Sequence, residues 1–319
     1  MAVYTQVSAE EMGALLARYD AGELVSAKGI AEGVENSNYL VDTTRDRFIL
    51  TLYEKRVDAA DLPFFMALLD HLADAGLPVP RALKDRAGVQ ITSVADRPAC
   101  LIEFLTGVSV SHPTAAQAHA AGVALGRMHA ALGSFTQERP NSLGPEGWRD
   151  LAARCGGDLD AILPGLSARV AEELALLEAE WPHHLPRSVI HADLFPDNVL
   201  MLGDDVTGII DFYFACTEIR AWDVAVTHAA WCFENDGTGF HPDRAAALIG
   251  GYDESFGLSE EERAAFPLLA RGAALRFLLT RAWDWLNTPA DALVTRKDPL
   301  AFLRRLDFYA GATSQELGL

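Results

Sequence analysis

The chain has 319 residues and a formal charge of −19, with 26 Lys and Arg against 45 Asp and Glu. Half of the residues are hydrophobic and 22% are charged, which is typical of a globular protein and excludes wholesale disorder and collagen-like or coiled-coil character. The acidic balance argues against nucleic acid or an anionic membrane as the main partner, because both bind basic surfaces. It does not exclude a small anion, since a local pocket can oppose the overall sign.

The first third of the chain predicts one helix and then an antiparallel sheet with a second helix inserted in it. Ser8 and Glu11 form an S-x-x-E capping pattern, and apolar residues follow at helical spacing. Short β-type segments alternate with glycines and polar runs, and one longer segment is helical. The predicted strands cover residues 24–30, 38–41, 48–53, 89–94 and 99–104, and the inserted helix covers residues 62–72.

After Gly107 the pattern turns helical, with one β-like interruption over residues 189–211. The predicted helices cover residues 115–132, 166–181, 221–233, 244–252 and 260–286. The sequence therefore predicts an α+β protein with a small, antiparallel, β-rich N-terminal lobe (1–106) and a larger α-helical C-terminal lobe (107–319). A cleft between unlike lobes is a favoured place for a ligand.

The cysteines and the N-terminus indicate the compartment. Cys100, Cys155, Cys216 and Cys232 form no C-x-x-C pair and have no histidine at zinc spacing, so we expect four reduced packing residues. The first residues lack a basic region followed by an apolar one, and no apolar run is long enough to span a bilayer. We expect a cytoplasmic monomer or homodimer with no membrane partner.

The most informative stretch begins at His191 and ends at Asp211. It reads H-A-D-L-F-P-D-N, followed by two apolar runs that a Gly-Asp-Asp turn joins. Read as an antiparallel hairpin, it places Asn198 and Asp211 together at the open end. Asp193 lies just upstream, on a loop that Pro196 stiffens.

An amide oxygen beside a carboxylate makes a poor zinc site but suits Mg²⁺, which completes its shell with water and phosphate oxygens. A separate carboxylate, that of Asp193, can accept a proton from a substrate hydroxyl. These are the parts needed for phosphoryl transfer from ATP. The alternative is a hairpin whose polar ends face water, but the pattern H-x-D-x-x-x-x-N followed by a strand-ending Asp-Phe favours the chemistry.

This segment resembles the catalytic loop and metal-binding segment of the protein-kinase-like small-molecule kinases, a group that includes aminoglycoside phosphotransferases and choline kinases. The resemblance implies a two-lobed protein-kinase-like fold. It implies that Asp193 is the catalytic base, that Asn198 and Asp211 bind Mg²⁺, and that His191 supports the loop.

The same resemblance places ATP against the N-terminal lobe. A polar segment between the first two predicted strands is expected to contact phosphate oxygens, although its glycines are too sparse for a G-x-G-x-x-G and an ordinary hairpin turn is the alternative. The residues expected to make these contacts are Gly33, Asn36, Ser37 and Asn38.

A second expected nucleotide contact is the interlobe hinge. Ile102, Glu103 and Phe104 have the apolar, strand-then-break character of a segment whose backbone binds an adenine edge, and a plain buried edge strand is the alternative.

The nucleotide lobe departs from the group's pattern in two places. Thr51 occupies the strand position where a basic residue for the phosphates is expected, and Phe64 and Phe65 stand near the expected place of its Glu partner. Lys55 lies on the same strand face, further along. We infer that Mg²⁺ and another donor, with Lys55 as the candidate, offset the phosphate charge.

The runs KGIAEGVENSNYLV, FILTLYEKR, AWDVAVTHAAWCFE and KDPLAFLRRL resemble the homoserine kinases built on this scaffold, and the similarity extends from Met1 to about Leu306. It implies ATP-dependent phosphorylation of the side-chain hydroxyl of L-homoserine, a step toward threonine. One alternative is a related kinase that acts on an amino alcohol or an aminoglycoside. The other is a nucleotide-binding regulatory protein with little turnover, which Thr51 and Phe65 motivate.

Homoserine is a small zwitterion, so its site needs a cation for the carboxylate. Arg276 and Arg281 lie on the predicted helix 260–286, and each is either that clamp or a structural ion pair. Tyr213, just past Asp211, is expected to line the acceptor pocket. Asp223 is expected to anchor the start of a helix.

Overall fold

The computed structural model describes residues 4–30, 36–54, 57–288 and 296–319. The chain divides into two compact units. The first consists of Met1–Thr106 with Gly208–Tyr213, and the second consists of Gly107–Thr207 with Phe214–Leu319. The six residues 208–213, which the sequence had assigned to the C-terminal lobe, thus group with the first unit.

The first unit is built on a five-stranded antiparallel sheet with strand order β1-β2-β3-β5-β4. This confirms the predicted antiparallel sheet with one inserted helix. Its elements are α1 (Ala9–Leu16), β1 (Leu24–Gly29), β2 (Asn36–Thr43), β3 (Arg47–Tyr53), α2 (Leu62–Asp74), β4 (Thr92–Val94) and β5 (Arg97–Glu103).

Helix α1 begins where the capping pattern predicts. Ser8 Oγ accepts the backbone N–H of Glu11 (3.2 Å), and the Glu11 carboxylate accepts the N–H of Ser8 (2.8 Å). The apolar face of α1 then packs on the sheet. The shared core consists of Met12, Leu15, Leu16, Tyr19, Ala21, Tyr39, Val41, Phe48, Leu50, Leu52, Val94, Ala99 and Leu101.

Strand β4 is shorter than predicted, because a local loop takes the first residues of the expected strand. The Asp85 carboxylate accepts the N–H groups of Ala87 and Val89, both at 2.9 Å. Side-chain bonds of this kind compete with a strand ladder for the same donors.

Helices dominate the second unit, and two short antiparallel strand pairs interrupt them. Strand β6 pairs with β9, and β7 pairs with β8, which confirms the predicted hairpin. The elements are α3 (Ala115–Leu132), α4 (Pro145–Cys155), α5 (Leu159–Ile162), α6 (Leu166–Glu180), β6 (Arg187–Ile190), β7 (Val199–Leu202), β8 (Asp205–Ile209, its last two residues in the first unit), β9 (Cys216–Ile219), α7 (Arg220–Trp231), α8 (Pro242–Ser255), α9 (Glu260–Asn287) and α10 (Leu300–Gly311).

Helices α3 and α8 approach each other so closely that glycine is required at the contact. A Cβ atom on Gly122 would lie 2.1 Å from the backbone oxygen of Leu248, and one on Gly251 would lie 2.1 Å from that of His119. Close backbone contact of this kind holds α8 against α3, the helix that carries His129.

The four cysteines are free and buried, as predicted. Within the described ranges, no helix combines the length and the apolar character that crossing a bilayer requires.

Candidate active site

The loop over residues 191–198 follows β6 and belongs to the second unit. Asn198 closes it, since its Nδ2 donates to the backbone oxygen of Asp193 (2.8 Å) and to Asp193 Oδ2 (3.2 Å). The N–H of Phe195 donates to the same backbone oxygen at 2.8 Å. Because Nδ2 makes both bonds to Asp193, Oδ1 is the atom of the Asn198 side chain that can meet a cation.

A buried carboxylate, that of Asp223 in the first turn of α7, holds the start of this loop. Asp223 is fully buried and accepts the backbone N–H groups of His191 and Ala192, each at 2.8 Å. It also lies 3.1 Å from His129 Nε2. Burial alone would raise the pKa of Asp223. The bond and charge of His129, with the bond from His191, outweigh burial and hold this pKa below its usual range. Asp223 is therefore a charged anchor for the loop.

Backbone strain marks one residue of the loop and one residue after β8. Ala192 has φ +63° and Asp211 has φ +65°, a left-handed conformation that non-glycine residues rarely adopt. In the described part of the chain, the other non-glycine residues with positive φ are Ala95 and Asp96, which form the turn between β4 and β5. Strain away from a tight turn is characteristic of functional sites, where the surroundings hold it in place.

Arg276 on α9 provides a third support for the loop. It is 2% exposed, and its Nη1 donates to the backbone oxygen of Ala192. Its guanidinium lies 5.3 Å from the ring centroid of Phe214, 5.8 Å from that of Trp222 and 4.3 Å from that of Phe277. These contacts favour the structural alternative over the expected carboxylate clamp for Arg276.

Arg281, the other expected clamp, is placed differently. Its guanidinium lies 4.5 Å from the Phe302 ring centroid, and its Nη1 donates to the Asp298 backbone oxygen at 3.2 Å. Burial and the nearby charge of Arg305 lower its pKa to about 10, against the opposing charges of Asp197, Asp298 and Asp193. Arg281 is thus protonated at neutral pH and lies within electrostatic range of Asp193.

Phe195 of the loop packs against aromatic side chains of two helices, α9 and α10, and we call these side chains the aromatic floor. The ring of Phe195 lies 4.8 Å from that of Phe277 on α9 and 6.2 Å from that of Phe302 on α10. The sequence reasoning missed this floor and also missed His129, which lies 94 residues before Asp223 in the chain. No local pattern signals either contact.

In the first unit, the hydroxyl of Ser37, an expected phosphate contact, makes hydrogen bonds with protein groups. It is fully buried, and its Oγ accepts the N–H groups of Tyr4 (2.9 Å) and Thr5 (3.0 Å) and donates to Glu54 (2.7 Å). Its hydroxyl therefore holds the N-terminal segment. The expected phosphate contact by Ser37 finds no support in this geometry.

The two asparagines that flank Ser37 differ from each other. Asn38 Oδ1 accepts the hydroxyl of Thr51 at 2.8 Å. Asn36 is 5% exposed, and its buried Oδ1 has no hydrogen-bond partner among the residues that the structure describes. Asn36 therefore carries an acceptor that a ligand hydroxyl could satisfy. The remaining expected nucleotide contacts, Gly33 and Lys55, lie outside the described residues.

At the expected hinge, most backbone groups are already paired. Ile102 pairs with Ile49 of β3 and forms a bridge with Ala82. The Glu103 N–H donates to the Arg81 backbone oxygen at 2.9 Å, and the Glu103 carboxylate accepts the N–H of Arg81 at 3.1 Å. Phe104 follows the end of β5 and is 37% exposed, which favours it over Ile102 and Glu103 as the adenine contact.

Tyr213 contacts the sheet of its own unit. Its hydroxyl lies 3.1 Å from the hydroxyl of Tyr53, and its ring packs edge-on against Phe65 with centroids 5.6 Å apart. Burial raises the pKa of Tyr213, so its hydroxyl stays neutral. Tyr213 was expected to line the acceptor pocket, but its hydroxyl and its ring both make contacts within the first unit. Thr51 and Phe65, the two departures from the group's ion pair, are both buried.

Comparison with known proteins gives a consistent result. The sequence pattern of a phosphotransferase enzyme family matches residues 26–267. The homoserine kinase of Zymomonas mobilis is 58% identical over 320 residues and is covered completely, as is this chain. The homoserine kinase of Xanthobacter autotrophicus is 52% identical over 100% of this chain and 99% of its own length.

Solved structures confirm the predicted α+β, protein-kinase-like fold. An amicoumacin kinase, solved with AMP-PNP and Ca²⁺, superposes with a TM-score of 0.72 at 15% identity, covering 96% of this chain and 94% of its own. From the matched family pattern and the full-length relatives, the chain belongs to the phosphotransferase enzyme family.

Proposed function

We propose that the protein transfers the γ-phosphoryl group of ATP to the side-chain hydroxyl of L-homoserine, giving O-phospho-L-homoserine and ADP. The observation that carries this proposal is the 58% identity, over both complete chains, with the homoserine kinase of Zymomonas mobilis. The arrangement of Asp193 and Asn198 supports it, because it provides a carboxylate that a neighbouring amide orients.

In this proposal Asp193 is the general base. The homoserine hydroxyl gives its proton to the Asp193 carboxylate while its oxygen bonds to the γ-phosphorus, and the bond from that phosphorus to the bridging oxygen breaks to release ADP. Asn198 and Phe195 hold the Asp193 backbone oxygen, and Asn198 also holds the carboxylate. Positioning supplies much of the rate in such reactions, since the reacting atoms must start near contact distance.

We also propose that Asn198 and Asp211 bind Mg²⁺. The donor set fits this cation, because an amide oxygen and a carboxylate are hard ligands and Asn198 uses its nitrogen, not its oxygen, to bond Asp193. When bound, the ion would offset the negative charge of the phosphate oxygens. Asp211 is exposed, and its backbone is held in a left-handed conformation. This conformation fixes the direction in which the side chain leaves the backbone.

For the nucleotide we propose contacts from Asn36, Asn38 and Phe104, in the polar segment and after β5. Gly33 and Lys55 remain predicted phosphate contacts. For the acceptor we propose that Arg281 binds the homoserine carboxylate, because a guanidinium matches a carboxylate with two parallel hydrogen bonds. Its electrostatic proximity to Asp193 supports this assignment.

The test is a coupled ADP-release assay with Mg·ATP and four acceptors, which are L-homoserine, D-homoserine, choline and an aminoglycoside. We expect kcat/KM for L-homoserine to exceed that for each of the others by more than about 100-fold, a discrimination that a pocket reaches even without matched hydrogen bonds. Phosphorus NMR of the product should show one phosphomonoester on the side chain. The absence of homoserine-dependent ADP release would contradict the proposal and favour a nucleotide-binding protein with little turnover.

A further inference from the structure

The segment that carries Asp211 is attached to the first unit on both sides of that residue. Two positions before it, the N–H of Ile209 donates to the backbone oxygen of Pro78 at 2.8 Å. Two positions after it, the Tyr213 hydroxyl lies 3.1 Å from that of Tyr53. All of these residues belong to the same unit. The left-handed backbone of Asp211 is therefore held between two fixed points.

The second attachment is an aromatic cluster, which we call the tyrosine clamp and define as Tyr53, Phe65 and Tyr213. The Tyr213 ring meets Tyr53 with centroids 5.4 Å apart and planes at 81°, and it meets Phe65 at 5.6 Å and 89°. Both are edge-to-face contacts, the favoured geometry for aromatic pairs. Tyr53 is 1% exposed and Phe65 is fully buried, so the partners of Tyr213 are themselves immobilised.

The clamp lies where the group's ion pair is missing. Phe65 stands on α2 near the expected acidic residue, and Thr51, two residues before Tyr53 on β3, stands at the expected basic position. The hydroxyl of Thr51 bonds Asn38 at 2.8 Å and also interacts with Tyr213. A buried charge with no partner would be costly here, and each of these side chains is uncharged. Uncharged side chains thus connect β3 with α2. Tyr213 joins them to the segment that carries Asp211, because its ring meets both Tyr53 and Phe65.

We propose that the tyrosine clamp is a positioning device for Asp211: where the ion pair is missing, Tyr213 links β3 and α2 to each other and to the segment that carries Asp211. Tyr53 and Phe65 fix the ring of Tyr213, and this fixes the backbone two residues earlier. The backbone of Asp211 is then already ordered before a cation binds. Binding therefore does not have to supply the free energy of ordering this residue. This inference rests on the proposed function only in taking Asp211 as a cation ligand.

The test uses Tyr213→Phe, Tyr53→Phe and the double variant, with Tyr39→Phe as the matched control. Tyr39 is a buried tyrosine of the same sheet whose hydroxyl bonds the N-terminal segment, accepting from Val7 (3.1 Å) and donating to Thr5 (2.8 Å). Mn²⁺ affinity is measured by electron paramagnetic resonance in the presence of a non-hydrolysable ATP analogue. Hydrogen exchange of residues 208–214 and the KM for homoserine are measured on the same samples.

Each clamp variant should weaken Mn²⁺ binding roughly 2- to 12-fold, the range that loss of one hydrogen bond gives. The same variants should exchange faster over residues 208–214 and keep the KM for homoserine. Because Tyr213→Phe already removes the bonds of the Tyr213 hydroxyl, the double variant should bind Mn²⁺ no more weakly than Tyr213→Phe. The control should lose stability without losing Mn²⁺ affinity.

Unchanged Mn²⁺ affinity in both clamp variants, or an equal loss in the control, would overturn the inference. Its failure is distinguishable from failure of the proposed function. If the wild-type chain phosphorylates no homoserine but its Mn²⁺ affinity still depends on the clamp, the proposed function fails while this inference stands.

Discussion

The most informative single perturbation is the removal of the buried carboxylate under the loop over residues 191–198. Asp223→Ala deletes the acceptor of two backbone N–H groups at 2.8 Å, from His191 and Ala192, and the partner of His129 at 3.1 Å. A hydrogen bond to a charged group contributes about 1.5–3 kcal/mol, and two backbone N–H groups lose such a bond here. We therefore expect a loss of about 3–5 kcal/mol in the free energy of unfolding.

The same change should reduce catalysis. Ala192 is strained, with φ +63°, and Asp223 is one of the groups that hold it there. Once released, the backbone relaxes and Asp193 shifts with it, and a misplacement of about 1 Å can cost about 10²-fold in kcat. We expect a kcat loss of that size with a smaller change in the KM for ATP.

The stability loss should also depend on pH. The pKa of Asp223 lies below its ordinary value in the folded protein, so its contribution is fully present above the unfolded pKa of about 4. That contribution is lost as pH falls through the lower folded pKa. The difference between wild type and Asp223→Ala should therefore be present at pH 7 and should shrink in acid, as pH falls below the unfolded pKa and through the folded pKa of Asp223.

Urea unfolding at pH 7 and at pH 3 gives the energies, and a coupled assay at pH 7 gives kcat. The matched control is Asp42→Asn, which removes a solvent-exposed ion pair with Arg47 and should cost less than about 1 kcal/mol. The reasoning is refuted if Asp223→Ala unfolds within about 1 kcal/mol of wild type at pH 7 and keeps its kcat.

Three further predictions follow from the same structure. Asn198→Ala removes the amide that holds Asp193, so Mg²⁺ titration of the activity should show a higher Mg²⁺ requirement and a kcat about 10²-fold lower; an unchanged Mg²⁺ curve would contradict the metal assignment. Arg281→Met should raise the homoserine KM roughly 10- to 100-fold in initial-rate assays and leave the ATP KM unchanged, whereas Arg296→Met, which removes a cation over Trp285, should change neither. Gly122→Ala forces a Cβ to 2.1 Å from the Leu248 oxygen and should cost about 1–3 kcal/mol in urea unfolding, whereas Gly250→Ala, with nothing within 4 Å, should be neutral or stabilising by up to about 1 kcal/mol.

Local patterns were sufficient for much of the fold. The capping box at Ser8 places α1, and the apolar periods place α2, α3 and α9 close to their observed ranges. The hairpin of β7 and β8 was visible because a Gly-Asp-Asp turn separates two apolar runs. Helix α10 was not predicted, although Phe302, Leu306 and Tyr309 have helical spacing and are buried. The run that contains it served only as a mark of family resemblance.

Other features depend on contacts that no short stretch of sequence contains. Strand β9 has four residues and exists because it pairs with β6, more than 20 residues earlier. Asp223 bonds His129 on α3, and Phe195 of the loop packs near Phe302 on α10. Both partners lie on helices that are distant in the sequence.

The candidate site divides in the same way. Asp193, Asn198 and Asp211 follow from motif spacing, and their roles remain proposals. Ser37 was predicted as a phosphate contact from its place between two strands, but its hydroxyl bonds Glu54. For Arg276 the sequence left a carboxylate clamp and a structural role open, and its bond to the Ala192 backbone favours the structural role. Tyr213 was expected to face the acceptor, but tertiary packing places it against Tyr53. Whether the protein is a monomer or a homodimer stays a prediction.

The measurement that tests the central claim most directly is the single-turnover rate of homoserine phosphorylation by Asp193→Asn beside wild type. The amide oxygen can still accept the Asn198 Nδ2 bond but cannot take a proton, so the fold and the homoserine affinity should be preserved. The account predicts a rate lower by about 10²- to 10⁴-fold, the range for loss of a general base. A variant that folds, binds homoserine and transfers phosphate within tenfold of wild type would show that Asp193 is not the base.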